Sequence, residues 1–174
     1  EDIISINEDV IFELDLTPNR GDCLSHFGVA RELGIVVDQI VERRHIKQIV
    51  ESGSTEDDIK IHIDVPDGCP RYVARVIKGV KVGPSPQWLS DRIHSIGLSS
   101  INNIVDAANF VLMDSGHPMH TFDLNQISGN EIIVRYAKAG EKITTLDNEK
   151  RKLKDYHLLI CDAKKPIALA GIMG

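Results

Sequence analysis

INNIVDAANFVLMDSGHPMHTFD, residues 101–123, decides how the rest of the chain is read. Ile101, Ile104, Val105, Ala108, Val111 and Leu112 recur at three- and four-residue spacing, the period of a helix with one apolar side. Asn102, Asn103, Asp106 and Asn109 are interleaved with them. Asn102 and Asp106 are four apart and Asp106 and Asn109 three apart, so these polar groups share a side of the helix. Asn and Asp compete with the backbone for hydrogen bonds and are poor helix-interior residues, so several in one helix need a reason. Gly116 predicts the helix stop, and Pro118 stiffens the loop that carries His117, Met119 and His120.

Around this stretch the composition is that of an ordinary globular protein: 174 residues, 42% hydrophobic and 26% charged. No apolar run is long enough for a membrane helix, and no signal peptide opens the chain. Three cysteines, Cys23, Cys69 and Cys161, are too few and scattered for a disulfide framework and suit a reducing cytoplasm. A formal net charge of −6 argues against gripping a nucleic-acid backbone by bulk charge, and DNA is not an expected partner. Local basic clusters at Arg43–Arg44 and at Lys150, Arg151, Lys152 and Lys154 read first as solvated faces. The chain opens at Glu1 without Met and closes on the apolar run PIALAGIMG, which reads as a piece of a longer protein.

Residues 10–14 predict a strand, followed by a turn-rich loop over 15–22. Asp22 is the expected N-cap of a helix over 23–33, with Gly34 as its stop. In that loop Asn19 and Arg20 offer an anion site, or Pro18 and Asn19 make a turn while Arg20 pairs with a carboxylate. Residues 51–58, ESGSTEDD, read as a linker between an N-terminal strand-helix arm (1–50) and a main domain (59–174). Residues 59–65 and 72–80 alternate as strands do, and Pro86 near N1 opens a helix ended by Gly97. Further strands are predicted at 131–136 and 157–161, a hairpin at 141–146 and 150–153 around Asp147-Asn148, and a last strand at 167–170. The sum is an α+β (mixed α/β) fold of short, mostly antiparallel strands with two main helices.

His117 and His120 have H-x-x-H spacing, but Pro118 breaks the helix such zinc ligands normally occupy and the cysteines are remote, so no metal is expected. A Cys–His nucleophile is disfavoured because Cys161 falls in a buried strand and Cys23 in a helix. No P-loop, Rossmann fingerprint or Gly-x-Ser-x-Gly elbow is present. What remains is a polar pocket: Asp106 and Asn109 from the helix, His120 from the loop, and main chain from the glycine-rich end at Gly171 and Gly174. The competing reading is that Asp106 and Asn109 only tie down the following loop.

ELDLTPNRGDCLSHFGVAREL, CPRYVARVIKGVKVGPSPQWL, INNIVDAANFVL, HPMHTFD and IALAGIMG together resemble the beta subunit of bacterial phenylalanyl-tRNA synthetase, in order and over nearly the whole chain. The resemblance implies that residues 1 to about 36 return from that subunit's N-terminal domain and that 59 onward is its editing domain, which hydrolyses tyrosine attached in error to phenylalanine tRNA. It implies His120 and Asn109 near the aminoacyl ester as the catalytic pair, with Pro118 and the Gly174 backbone along the tyrosine ring. His120 is then an orienter of water or of the tRNA ribose rather than a sole base. The family often has Arg where this chain has Ser99 and Thr where it has Ala108, and its acidic residue for the tyrosine hydroxyl lies past Gly174. Implied partners are the tRNA(Phe) 3′ end and an alpha subunit in an alpha2-beta2 assembly. ATP and magnesium belong to other parts of that enzyme, and no cofactor is expected in this one. The rival class is a non-catalytic scaffold or tRNA-end-binding module; a stand-alone editing hydrolase is a third, weakened by the missing Met.

Overall fold

A computed structural model describes every residue except Glu1, Asp2, Asn7, Glu8, Arg44, Gln48 and Gly174, with backbone alone at 3–6 and 9. The fold is α+β, with three helices and eight short strands among the described residues. It divides into two compact units, 1–48 with 80–121 and 49–79 with 122–174. The segment 80–121, expected in the domain from 59 onward, thus clusters with the N-terminal residues.

In the first unit, β1 (Ile3–Ile6) and β2 (Asp9–Phe12) form an antiparallel ribbon, with Ile3 opposite Phe12 and Ile6 opposite Asp9. The following loop leads through a single 3₁₀ turn at Gly21–Cys23 to α1 (His26–Val36). The expected cap is corrected: Ser25, not Asp22, caps α1, accepting the Gly28 N–H at 3.0 Å. Gly34 is not the stop but lies inside α1, where an added Cβ would fall 2.7 Å from the Gln39 carbonyl oxygen. Its role is close approach of the returning chain.

α2 (Gln87–Ser95) has Pro86 as N-cap rather than at N1. It ends as sketched, with Gly97 at φ 79° and the Gly97 and Leu98 N–H groups bonded to the His94 and Ile93 carbonyls. This pair of bonds satisfies the carbonyls that the helix end would otherwise orphan. α3 (Asn103–Ser115) packs against α1 and α2, and buried Leu89 and Ile93 of α2 supply the apolar contact of this unit.

The second unit holds a four-stranded sheet ordered β3 (Lys60–Ile63), β4 (Glu131–Tyr136), β7 (Leu158–Cys161), β8 (Pro166–Leu169). β3 pairs parallel with β4, and the other two pairings are antiparallel. Side chains alternate across a strand, so IIV of β4 and LLIC of β7 feed both faces. Ile132 and Val134 pack with Ile59, Ile127, Leu158 and Ile160 on one side. Ile133, Leu159 and Cys161 pack with Ala137, Ile143 and Leu153 on the other. The predicted hairpin is present as β5 (Lys142–Thr144) and β6 (Lys150–Lys152).

Residues 72–80 are not a strand. Tyr72, Ala74 and Val76 are half-buried, with Tyr72 and Val76 against the core, and Val73 and Ile77 are exposed, so the alternation is real. Among the described residues the segment has no ladder partner. No helix is long and apolar enough to cross a membrane among the described residues.

Candidate functional site on α3 and its following loop

α3 begins with three polar residues that serve the fold. Asn102 is the N-cap, outside the helix proper; its Oδ1 accepts the N–H groups of Ile104 and Val105 at 3.0 Å each. Asn103 clamps the approaching chain, accepting the Gly83 N–H at 3.1 Å and donating to the Lys81 carbonyl at 3.0 Å. Asp106 is 0% exposed. Its Oδ2 accepts the hydroxyls of Ser85 and Ser100, each at 2.5 Å, and its Oδ1 accepts the Ile101 N–H at 2.9 Å.

Burial raises the proton affinity of the Asp106 carboxyl, but the Ile101, Ser100 and Ser85 donors outweigh it and hold the group below the usual carboxylate range. The carboxylate is therefore ionised, fully partnered and sealed from solvent. Expected in the substrate pocket, Asp106 instead fixes where α3 starts. Ser85 and Ser100 went unnoticed in the sequence because both lie outside the helical period; the signal available was an unexplained Asp in the first turn.

One turn further on, Asn109 is half-buried, and among the described residues its side-chain amide makes no hydrogen bond. No side-chain polar atom among the described residues is both buried and unpartnered, so this amide opens to solvent. Gly116, at φ 77° and ψ 11°, ends α3 as expected by bonding its N–H to the Leu112 carbonyl at 2.8 Å. A left-handed residue there turns the chain off the helix axis, and Pro118 and His120 follow in an exposed loop. The His120 ring is partly shielded within that loop, and this partial burial disfavours its charged form and lowers its pKa from the ordinary histidine value.

Asp106, Asn109, Pro118 and His120 belong to the first unit. Gly171, in the second, is exposed at φ 70° in the turn after β8, and Gly174 lies outside the described residues. Ser99 is exposed and Ala108 half-buried. A cavity of about 300 Å³ in the first unit is lined by Trp88, Arg92, Phe110, Met113 and Asp114 among others, and none of the residues chosen from sequence lines it.

The Arg20 alternative resolves toward pairing. Its guanidinium reaches Asp22 at 2.9 Å, Glu32 at 2.8 Å and the Cys23 Sγ at 3.0 Å. Those three are also the one group of potential metal ligands whose atoms converge, within 4.8 Å, among the described residues. Arg20 already fills the cationic place among them, and its bonds hold the Asp22 carboxyl down to about 2.

One unit carries three helices and the other a four-stranded sheet, together an α+β fold, and in the first unit Asn109 and the loop beyond Gly116 offer polar groups to solvent. The B3/4 domain family matches residues 68–174, and the chain belongs to that family. The chain is 48% identical over 96% of its length to the phenylalanine–tRNA ligase beta subunit of Anaeromyxobacter dehalogenans. It is 50% identical over 96% to that of Carboxydothermus hydrogenoformans and 49% identical over 99% to that of Symbiobacterium thermophilum. It spans about a fifth of the length of these relatives (21%, 21% and 20%). The resemblance read from the sequence is thereby shown.

Proposed function

We propose that this chain is part of a phenylalanine–tRNA ligase beta subunit and that it removes tyrosine from phenylalanine tRNA by hydrolysing the aminoacyl ester. The observation that carries this reading is Asn109: its amide is left open on a helix whose N-cap and first-turn polar groups are all consumed. His120, whose charged form partial burial disfavours, follows on the adjoining loop.

In this reading water oxygen attacks the ester carbonyl, the bond to the ribose oxygen breaks, and that oxygen takes the proton, giving tyrosine and free tRNA. A neutral imidazole accepts a hydrogen bond from the water or from a ribose hydroxyl, and the Asn109 amide holds the ester or the amino group. Pro118, on the same loop as His120, lines the side chain of the bound amino acid. Asp106 acts behind them as a positioning residue. Selection of tyrosine follows from hydrogen bonding, because a pocket with partners for a phenol leaves them unpaired when phenylalanine enters. An aminoacylation pocket shaped for phenylalanine rejects one added hydroxyl far less well, which is why a second site is needed. The working context is the cytoplasm, with the tRNA(Phe) 3′ end as substrate and an alpha subunit completing an alpha2-beta2 enzyme. ATP and magnesium are used elsewhere in that assembly.

The second reading is a non-catalytic scaffold or tRNA-end-binding module. It is favoured by the use of Asn102, Asn103 and Asp106 for the fold alone. The two are separated by deacylation of Tyr-tRNA and Phe-tRNA, both on phenylalanine tRNA, by the chain extended through the remainder of the subunit. Selective loss of tyrosine that weakens in His120→Ala and Asn109→Ala supports editing. A folded protein that hydrolyses neither ester establishes the scaffold.

A further inference from the structure

The β5–β6 ribbon carries positive charge that its own fold does not use. Lys142 stands opposite Lys152 and Thr144 opposite Lys150. Alternation puts Lys142, Thr144, Lys150 and Lys152 on one face, and all four are exposed. Ile143 turns the other way into the core, opposite Arg151. Arg151 is neutralised at home by Asp147, and its Nε–H donates to the Thr145 hydroxyl. The three lysines meet no carboxylate among the described residues. Like charges directly opposite each other in an antiparallel pair weaken it, so the Lys142–Lys152 pairing works against the ribbon. Two residues beyond β6, Lys154 lies over the Tyr156 ring at 5.5 Å, and Tyr156 is 63% exposed.

We propose that this face binds the phosphate backbone of RNA, and that it is a docking surface for the tRNA whose ester the preceding reading assigns to Asn109 and His120. The inference rests on that reading for the identity of the RNA. Lysine amines are point charges suited to phosphates, and the one arginine of the ribbon is spent on Asp147, which leaves the lysines as its open charge. The exposed Tyr156 ring beside the Lys154 amine, just past β6, offers a surface for a base or ribose. In a chain of net charge −6 such a contact is local, which concentrates the salt dependence of binding on these few lysines.

The test is fluorescence anisotropy of a tRNA(Phe) transcript with the 174-residue chain across a salt series. Lys142→Gln/Lys150→Gln/Lys152→Gln is compared with Lys60→Gln/Lys164→Gln/Lys165→Gln, which removes equal charge from exposed positions elsewhere. The ribbon variant is expected to lower the slope of log Kd against log salt by about two units, and the control to leave it unchanged. The ribbon variant also relieves the Lys142–Lys152 repulsion, so its melting temperature is not lower than that of the parent. An unchanged slope, an equal drop in the control, or retained tRNA binding with loss of a poly-glutamate probe each overturns the proposal. A lost slope with no deacylation by the extended protein keeps the RNA surface and removes editing. Deacylation with an unchanged slope does the reverse.

Discussion

The Asp106 Oδ2 takes the Ser100 hydroxyl at 2.5 Å, tying the residue that precedes α3 by three positions to the first turn of that helix. With Ser85 on the same oxygen and the Ile101 N–H on the other, one fully buried carboxylate joins three points of the chain. Asp106→Ala strands two hydroxyls and an N–H and is expected to cost about 3 kcal/mol. Asp106→Asn costs less, about 1–2 kcal/mol, since Oδ1 still serves Ile101 and the hydroxyls can turn to accept from the new amide. Urea melts followed by Trp88, the one tryptophan and a residue of the same unit, read both values. Because the folded carboxyl lies below its ordinary 3.8, its contribution is complete above that pH and is lost as pH falls through the folded value. The Ala variant therefore lacks that part of the acid sensitivity. Equal stability of Asp106→Ala and the parent would sink the anchoring role.

Gly28 gives a steric prediction in the same unit. A Cβ added there would sit 1.9 Å from the Asp22 carbonyl oxygen and 3.0 Å from the Cys23 Cα, both main chain. No rotamer relieves such a contact, so the 3₁₀ turn at Gly21–Cys23 must move off α1. Gly28→Ala is expected to lose about 2–3 kcal/mol. Gly21→Ala, whose Cβ meets nothing within 4 Å, stays within about 0.5 kcal/mol of the parent. Denaturant midpoints of the two variants check the contrast.

What the sequence made legible was whatever is written in local periodicity. α3 and its Gly116 stop follow from three- and four-residue spacing, and β4, β7 and the β5–β6 hairpin from short β-branched or alternating runs between turn residues. The errors share one cause, dependence on distant chain. Asp22 and Ser25 are both good caps, and only the observed helix start chooses between them. Gly34 resembles a stop because its neighbour, the Gln39 carbonyl, arrives from beyond the helix. Residues 72–80 have strand grammar, but a strand also needs another backbone at ladder distance. At the site, helical spacing and the family resemblance point to Asn109 and His120, while the burial that separates Asp106 from Asn109 depends on Ser85 and Ser100.

In the second unit, Arg135 and Glu141 form a two-pronged pair at 2.9 and 2.7 Å, and Glu141 also takes the Lys138 N–H at 2.8 Å. The Arg135 bonds bring the Glu141 carboxyl from 4.5 down to about 2. Stability from this pair is full above pH 4.5 and declines as pH falls toward 2. Glu141→Gln leaves a largely buried guanidinium half-served and is expected to cost about 2 kcal/mol at neutral pH. The gap between parent and variant should close as the solution is acidified through that window. A gap independent of pH would mean that packing, not charge, holds the turn between β4 and β5.

His120 makes the editing reading testable by pH. Burial lowers its pKa from 6.5, so the neutral ring that accepts a hydrogen bond persists into mildly acidic solution. Ester hydrolysis itself slows as hydroxide falls, so the informative quantity is the ratio of parent to His120→Ala rates for Tyr-tRNA(Phe), in which that background cancels. The ratio is expected to exceed about tenfold at neutral pH and to fall on acidification as the ring gains a proton, over a range shifted below that of an ordinary histidine. A histidine acting as the imidazolium predicts the opposite slope, with the ratio growing as pH drops. A ratio near one at every pH would leave the loop structural and transfer the chemistry to Asn109 and the ribose hydroxyl. Asn109→Asp separates those cases further: it keeps the size of the side chain but replaces the amide N–H₂ with a carboxylate, so a substrate held through that donor is released while one held through the oxygen is retained.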